Sequence, residues 1–264
     1  MTLDLRLAPR GRSRLAGAAL ALAGFAICVT LYSMLLLRSH AVAAGPGFAA
    51  FASGLAIAGF AVLTGLAAMA AVWRSGRRGG VRAIFATLLG AAVLAGPLYV
   101  AFGHGSWPTR IDDVSTDLAD PPRFERAAHD RMTGDLPAPP KQIPAEQAQR
   151  QRSAYPDLAP LRLALPPDDV AGLVLGVVES RGWRILGPTA FPRGGPPTGR
   201  IEAVAASSIL GLQSDVSIRV RPEGDGARVD MRSASRVGGV DFGAGAARIR
   251  SFLADLAAAA NAVP

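Results

Sequence analysis

The side chains best suited to grip an anion are concentrated between Asp215 and Arg236, where apolar residues alternate with Arg, Ser and Asp along two runs joined at Pro222-Glu223-Gly224-Asp225-Gly226. That alternation predicts a hairpin with one face on a core. If Val220 pairs with Val229, then Arg219 stands opposite Asp230, Ile218 opposite Met231 and Ser217 opposite Arg232. One face, expected to meet solvent, then carries Ser217, Arg219, Arg221, Arg228, Asp230 and Arg232. Guanidinium groups clustered this way can hold a carboxylate or phosphate bidentately. They can equally pair with acids across a solvated sheet face, which is the simpler account.

The hairpin runs on into Gly238-Gly239-Val240-Asp241-Phe242-Gly243-Ala244-Gly245-Ala246-Ala247-Arg248, a glycine-rich turn entering a helix. Helix N-termini attract anions. As a dinucleotide site the turn fails on context, because it closes the domain instead of opening a parallel βαβ unit. The candidate anion- or partner-binding set is therefore Arg219, Arg232, Ser233, Ser235, Arg236, Asp241 and Gly243.

Catalytic constellations are poorly served. The histidines, His40, His104 and His129, are scattered, no GxSxG elbow occurs, and the single cysteine, Cys28, lies inside a long apolar run. Neither a zinc site nor a nucleophile–base pair follows from such spacing. Asp112, Asp113, Asp117 and Asp120 crowd together but lack the glycine and terminal glutamate of a calcium loop. No catalytic residue, metal or cofactor is expected. A hydrolase or lipid-modifying enzyme using Asp215 and Asp241 on a phosphate-bearing envelope substrate is the competing reading.

The elements that must position these residues can be taken in order. Leu161–Leu165 alternates like a strand, and Asp168 is placed to cap a helix in which Val170, Leu173, Val174, Val177 and Val178 share a face and Gly182 marks the end. Trp183–Leu186 and Ile201–Ala205 predict further strands around a Pro- and Gly-rich loop from Gly187 to Gly199. Asp241 then caps a final helix with the stripe Ile249, Phe252, Leu253 and Leu256. The expected class is α+β, in the order β-α-β-β-β-β-α over 161–264, with an antiparallel sheet carrying both helices on one face. Residues 103–160, rich in Asp and Pro, read as an extended arm.

Upstream, three apolar stretches at Leu15–Leu37, Phe48–Trp73 and Ala83–Phe102 reach the length of membrane spans. The first can alternatively be read as a signal peptide, with Ala41-Val42-Ala43 as its cleavage site, although the run is long for one. Up to Arg82 there are nine arginines against Asp4 alone, so the formal charge of +8 resides in this part and the remainder is neutral. A pI near 11 therefore reports membrane-flanking arginines, and nucleic-acid binding is not expected. The arginine bias places residues 1–14 and the loop after the second span in the cytoplasm. The C-terminal domain is then expected in the periplasm of a bacterial inner-membrane protein, with the membrane and an envelope protein or anionic ligand as partners.

Several strings together resemble a known family. They are Asp215–Val220, Val229-Asp230-Met231-Arg232-Ser233-Ala234-Ser235-Arg236-Val237-Gly238, Asp241-Phe242-Gly243 and Arg248-Ile249. Upstream of these stand Asp112-Asp113-Val114-Ser115-Thr116-Asp117, Pro121-Pro122-Arg123-Phe124, Tyr155-Pro156, Gly182-Trp183 and Ile201-Glu202-Ala203. This pattern, from about Ile111 to Leu256, is similar to that of the bacterial domain-of-unknown-function 1499 proteins. The resemblance implies that the Asp- and Pro-rich arm belongs to the domain, and it brings no activity. Two departures stand out, Ser214-Asp215 in place of paired acids and Gly245 in place of an asparagine.

Overall fold

The computed structural model describes residues 11–39, 42, 44–102, 111–187, 199–207, 209–238 and 243–262. It divides into a helical unit and an α+β unit.

In the helical unit, α1 (Arg14–Arg38), α2 (Ala44–Ser75) and α3 (Gly80–Phe102) are long and apolar enough to cross a membrane. All three start earlier than the bare apolar runs. Ser13 accepts a hydrogen bond from the Ala16 amide at 3.3 Å and so caps α1 from outside that run. The helices meet through small residues, with Ala19 and Ala23 of α1 packed on Ala61 of α2 and Ala86 of α3. Large side chains such as Phe25, Leu31, Phe60 and Leu88 are left on the outside. That is the reverse of a water-soluble bundle and suits helices in lipid, where close backbone approach drives packing.

The α+β unit contains β1 (Asp113–Ser115), α4 (Arg126–Asp130), α5 (Ala145–Ala154), β2 (Leu161–Leu163), α6 (Pro167–Ser180), β3 (Arg184–Ile185), β4 (Gly199–Ala206), β5 (Gln213–Glu223), β6 (Gly226–Ser235) and α7 (Ala244–Asn261). The order from β2 onward is the expected β-α-β-β-β-β-α. All pairings are antiparallel, in the order β1-β6-β5-β4-β3, and β2 shares the outer edge of β6 with β1. The hairpin register is as the alternation predicts, with Val220 opposite Val229 and Arg219 opposite Asp230. A two-residue turn at Gly224-Asp225 closes it.

One sheet face holds the apolar core. Ile201 and Ala203 of β4, Val216, Ile218 and Val220 of β5, and Val229 and Met231 of β6 pack on Val170, Val174 and Val178 of α6 and on Ile249, Phe252 and Leu256 of α7. Trp183 extends this layer by stacking on Phe252 with ring centroids 5.4 Å apart. Asp168 does not cap α6; the cap is Pro166, whose carbonyl accepts from the Val170 amide at 3.1 Å. Pro167 fixes the first helical φ and has no amide to satisfy, which leaves Asp168 and Asp169 in the first turn facing the helix dipole.

The opposite face departs most from expectation. It was expected in water, yet Ser217, Asp230 and Arg232 are each 0 % exposed. Residues 111–144 lie over it and contribute β1 and α4. The region is therefore not simply extended. Its acids find the strand arginines, and that charge pairing, invisible to local periodicity, holds it on the sheet.

Candidate functional site

The polar sheet face is a layer of ion pairs in three groups, each set by strand alternation. At the hairpin end, the Asp230 carboxylate is enclosed by Arg219 at 2.9 Å, Arg221 at 3.0 Å and Arg228 at 2.8 Å. Asp117, from the turn after β1, reaches Arg221 at 2.8 Å and Arg228 at 2.7 Å. Asp120 closes the group from outside, 2.8 Å from Arg219 and 3.5 Å from Arg221, and its side chain is 58 % exposed. Three arginines thus face three aspartates, with the three guanidinium side chains 17 to 26 % exposed.

In the middle, Arg232 donates to both oxygens of Asp113 at 2.8 and 2.6 Å, and to the carbonyls of Pro122 at 3.3 Å and Pro140 at 2.9 Å. Its guanidinium also sits 5.1 Å from the centre of the Phe124 ring. At the far end, Asp215 lies between Arg131 and Arg236, each 2.7 Å away, and Asp130 bridges Arg236 at 2.8 Å to Arg184 at 2.6 Å. Beside these groups, Glu202 of β4 accepts the amides of Glu125, Arg126 and Ala127 at 2.9 to 3.1 Å, satisfying the first turn of α4 with a carboxylate.

The electrostatics follow the geometry. Burial pushes the Asp117 carboxyl up, but the amides of Asp120 and Ala119 together with Arg228 and Arg221 bring it below the usual carboxylate range. The hydrogen bond from Arg184, aided by Arg236, holds Asp130 below that range against its own burial. For Asp215 burial dominates and the carboxyl is raised, with Arg131 and Arg236 pulling the other way.

Among the described residues, the candidates are spread over both faces of the sheet. Arg219 belongs to the hairpin-end group, whereas Arg232 and Arg236 are buried and fully engaged. Ser233 and Ser235 alternate onto the other face of β6, because side chains one residue apart on a strand point to opposite sides. There the Ser233 hydroxyl accepts from Arg248 at 2.8 Å, and that of Ser235 closes a local turn with Val237. Gly243 opens α7 with φ 76°, a left-handed conformation natural to glycine, and a Cβ there would lie 3.4 Å from the Tyr155 hydroxyl. Asp241 lies outside the described residues. Asp215, the other carboxylate of the competing enzymatic reading, is 0 % exposed between two guanidiniums.

Asp117, Asp120, Asp113, Arg131 and Glu202 are the participants that local pattern does not find. The available signal is the neutrality of everything after Arg82, together with the crowding of aspartates in 112–120.

A family model described as "Protein of unknown function (DUF1499)" matches residues 113–256, more than half of the chain. The match begins at β1 and so takes in the acidic covering segment as well as the sheet. Comparison with curated proteins gives no match. Among solved structures, the crystal structure of CalU16 from Micromonospora echinospora matches at 20 % identity, over 37 % of this chain and 72 % of its own, with a TM-score of 0.22. No common architecture follows from a score of that size.

Proposed function

The chain belongs to the DUF1499 family, whose description assigns no activity; from the site alone we propose that it is a non-enzymatic membrane protein that displays its α+β domain to bind an acidic envelope partner. The recognition surface is the hairpin-end cradle of Arg219, Arg221 and Arg228. One observation carries this: the outermost carboxylate in the cradle, Asp120, is 58 % exposed, whereas the other two aspartates holding these arginines, Asp117 and Asp230, are 11 % and 0 % exposed, and Glu223, 3.8 Å from Arg228, is 37 % exposed. An exposed ion pair is worth about 0 to 1 kcal/mol, so a partner's carboxylate can take the place of Asp120 at small cost. Arg232 and Arg236, at 0 % and 1 % exposure, serve as internal ties.

The placement is the periplasmic side of a bacterial inner membrane. It is supported by arginines that flank the N-terminus and the second interhelical loop and are sparse elsewhere in the helical part. A C-terminal alkaline phosphatase fusion should be active in cells, and an inactive fusion overturns the orientation. Binding is tested with the full chain and a fluorescent glutamate-rich peptide. Arg219→Ala should weaken binding, and Asp120→Asn should tighten it by up to about fivefold, the equivalent of one exposed pair. Identical affinity in all three proteins contradicts the cradle.

A further inference from the structure

The helical unit carries a second charged surface, independent of the cradle. At one end of the bundle α1 begins, α2 ends and α3 begins. The backbone clasps these three ends together. Arg12 and Arg78 form a parallel β-bridge, the Ser13 amide donates to the Arg78 carbonyl at 2.9 Å, and the Arg78 amide donates to the Gly11 carbonyl at 3.3 Å. Gly79 permits the approach. It has φ 147°, and a Cβ there would lie 3.2 Å from the Cβ of Ser13 and 3.3 Å from that of Ala16.

The clasp joins two arginine groups that are some sixty residues apart in the chain into one patch. Arg12 and Arg14 come from the entry to α1, Arg74 from the last turn of α2, Arg77 and Arg78 from the α2–α3 turn, and Arg82 from the first turn of α3. All six are exposed, and residues 11–102 contain no Asp or Glu to neutralise them. The N-terminal ends of α1 and α3 add their positive dipole ends to the same place. Trp73, 89 % exposed, stands beside Arg74 where the apolar helix surface gives way to the patch. An exposed indole at that level is the usual anchor of a helix at the headgroup region.

We propose that this end of the bundle is a binding surface for the phosphate groups of anionic phospholipids. The helix surfaces below the patch present Phe25, Phe60, Leu63 and Leu66 outward, so the guanidiniums are carried at the depth where headgroups lie. Guanidinium forks take phosphate oxygens two at a time. The clasp is what makes the surface more than scattered basic residues, since it fixes Arg12 against Arg78 so that neighbouring phosphates can be held together.

The test uses the full chain in mild detergent, offered equal amounts of phosphatidylglycerol and phosphatidylcholine, with retained lipid counted by native mass spectrometry. The expected result is a preference for phosphatidylglycerol of about tenfold or more, from several arginines each contributing near a charged headgroup. Arg12→Gln combined with Arg78→Gln should remove most of it. Gly79→Val changes no charge but forces the clasp apart, and should lower the preference as well. Should Gly79→Val lose helix by far-ultraviolet circular dichroism, Gly79→Ala is the smaller intrusion and makes the same prediction. Arg38→Gln, at the other end of α1, should leave the preference intact. Equal retention of the two lipids by the native chain overturns the proposal. So does an undiminished preference in a folded Gly79 variant, or an equal loss in Arg38→Gln.

Discussion

Replacing Arg232 with methionine probes the covered sheet face most sharply. The guanidinium is 0 % exposed and donates to both oxygens of Asp113, whose side chain is 10 % exposed. Methionine keeps much of the stem volume but leaves that carboxylate buried without a cation, a loss of about 3 to 5 kcal/mol. The Pro122 and Pro140 carbonyls also lose their donor, which adds about 1 kcal/mol or somewhat more. Against a domain stability of about 5 to 15 kcal/mol, the variant should be severely destabilised. The charge can be separated from the packing by adding Asp113→Leu. With no carboxylate left to strand, the double variant should recover about 2 to 4 kcal/mol and retain only the cost of the unpaired carbonyls. The assay is urea unfolding of the full chain in mild detergent, followed by near-ultraviolet circular dichroism of the Trp183–Phe252 stack. Refutation is a double variant as unstable as Arg232→Met alone, or a single variant costing less than about 1 kcal/mol.

Further variants probe both faces of the sheet. Glu202→Ala strands the amides of Glu125, Arg126 and Ala127 and should cost about 2 to 4 kcal/mol, and Glu202→Gln, which still accepts, should recover part of that in the same urea assay. Asp117 and Asp130 have folded carboxyl pKa values below the ordinary carboxylate value of about 3.9, so their stabilisation is complete above that pH and is lost as the pH falls through the lower folded values. Unfolding at fixed urea should therefore steepen below about pH 4, and Asp130→Asn should flatten that dependence. Phe252→Ala removes a buried ring from beneath Trp183 and should cost about 3 to 5 kcal/mol with loss of the near-ultraviolet signal.

Legibility in the sequence tracks how local each interaction is. The hairpin register could be read from period-two alternation around a short turn, and Arg219 duly faces Asp230. The stripes of α6 and α7 were equally plain, since Val170, Val174, Ile249 and Phe252 repeat at helical spacing. The covering segment was not legible. Asp117 meets Arg221 and Arg228 from more than a hundred residues away, and nothing in its own neighbourhood marks it as an ion-pair partner. A candidate set that takes in Arg232, Ser233, Ser235 and Arg236 spans both faces of β6, because the alternation that fixes the register sends the serines and the arginines to opposite sides. Asp168 illustrates a different competition, in which proline at the first helical position displaced the cap by two residues.

The covering segment seals Arg232 and Arg236 and leaves the hairpin-end cradle open to a partner. Arginine-selective modification with phenylglyoxal, mapped residue by residue in the native full chain by mass spectrometry, tests it directly. Arg219, Arg221 and Arg228 should react well ahead of Arg232 and Arg236, in keeping with exposures of 17 to 26 % against 0 to 1 %. Asp120→Ala should speed the first three and leave the last two unchanged. Equal reactivity across all five in the folded protein would contradict a sealed Arg232 and Arg236 beside an open cradle.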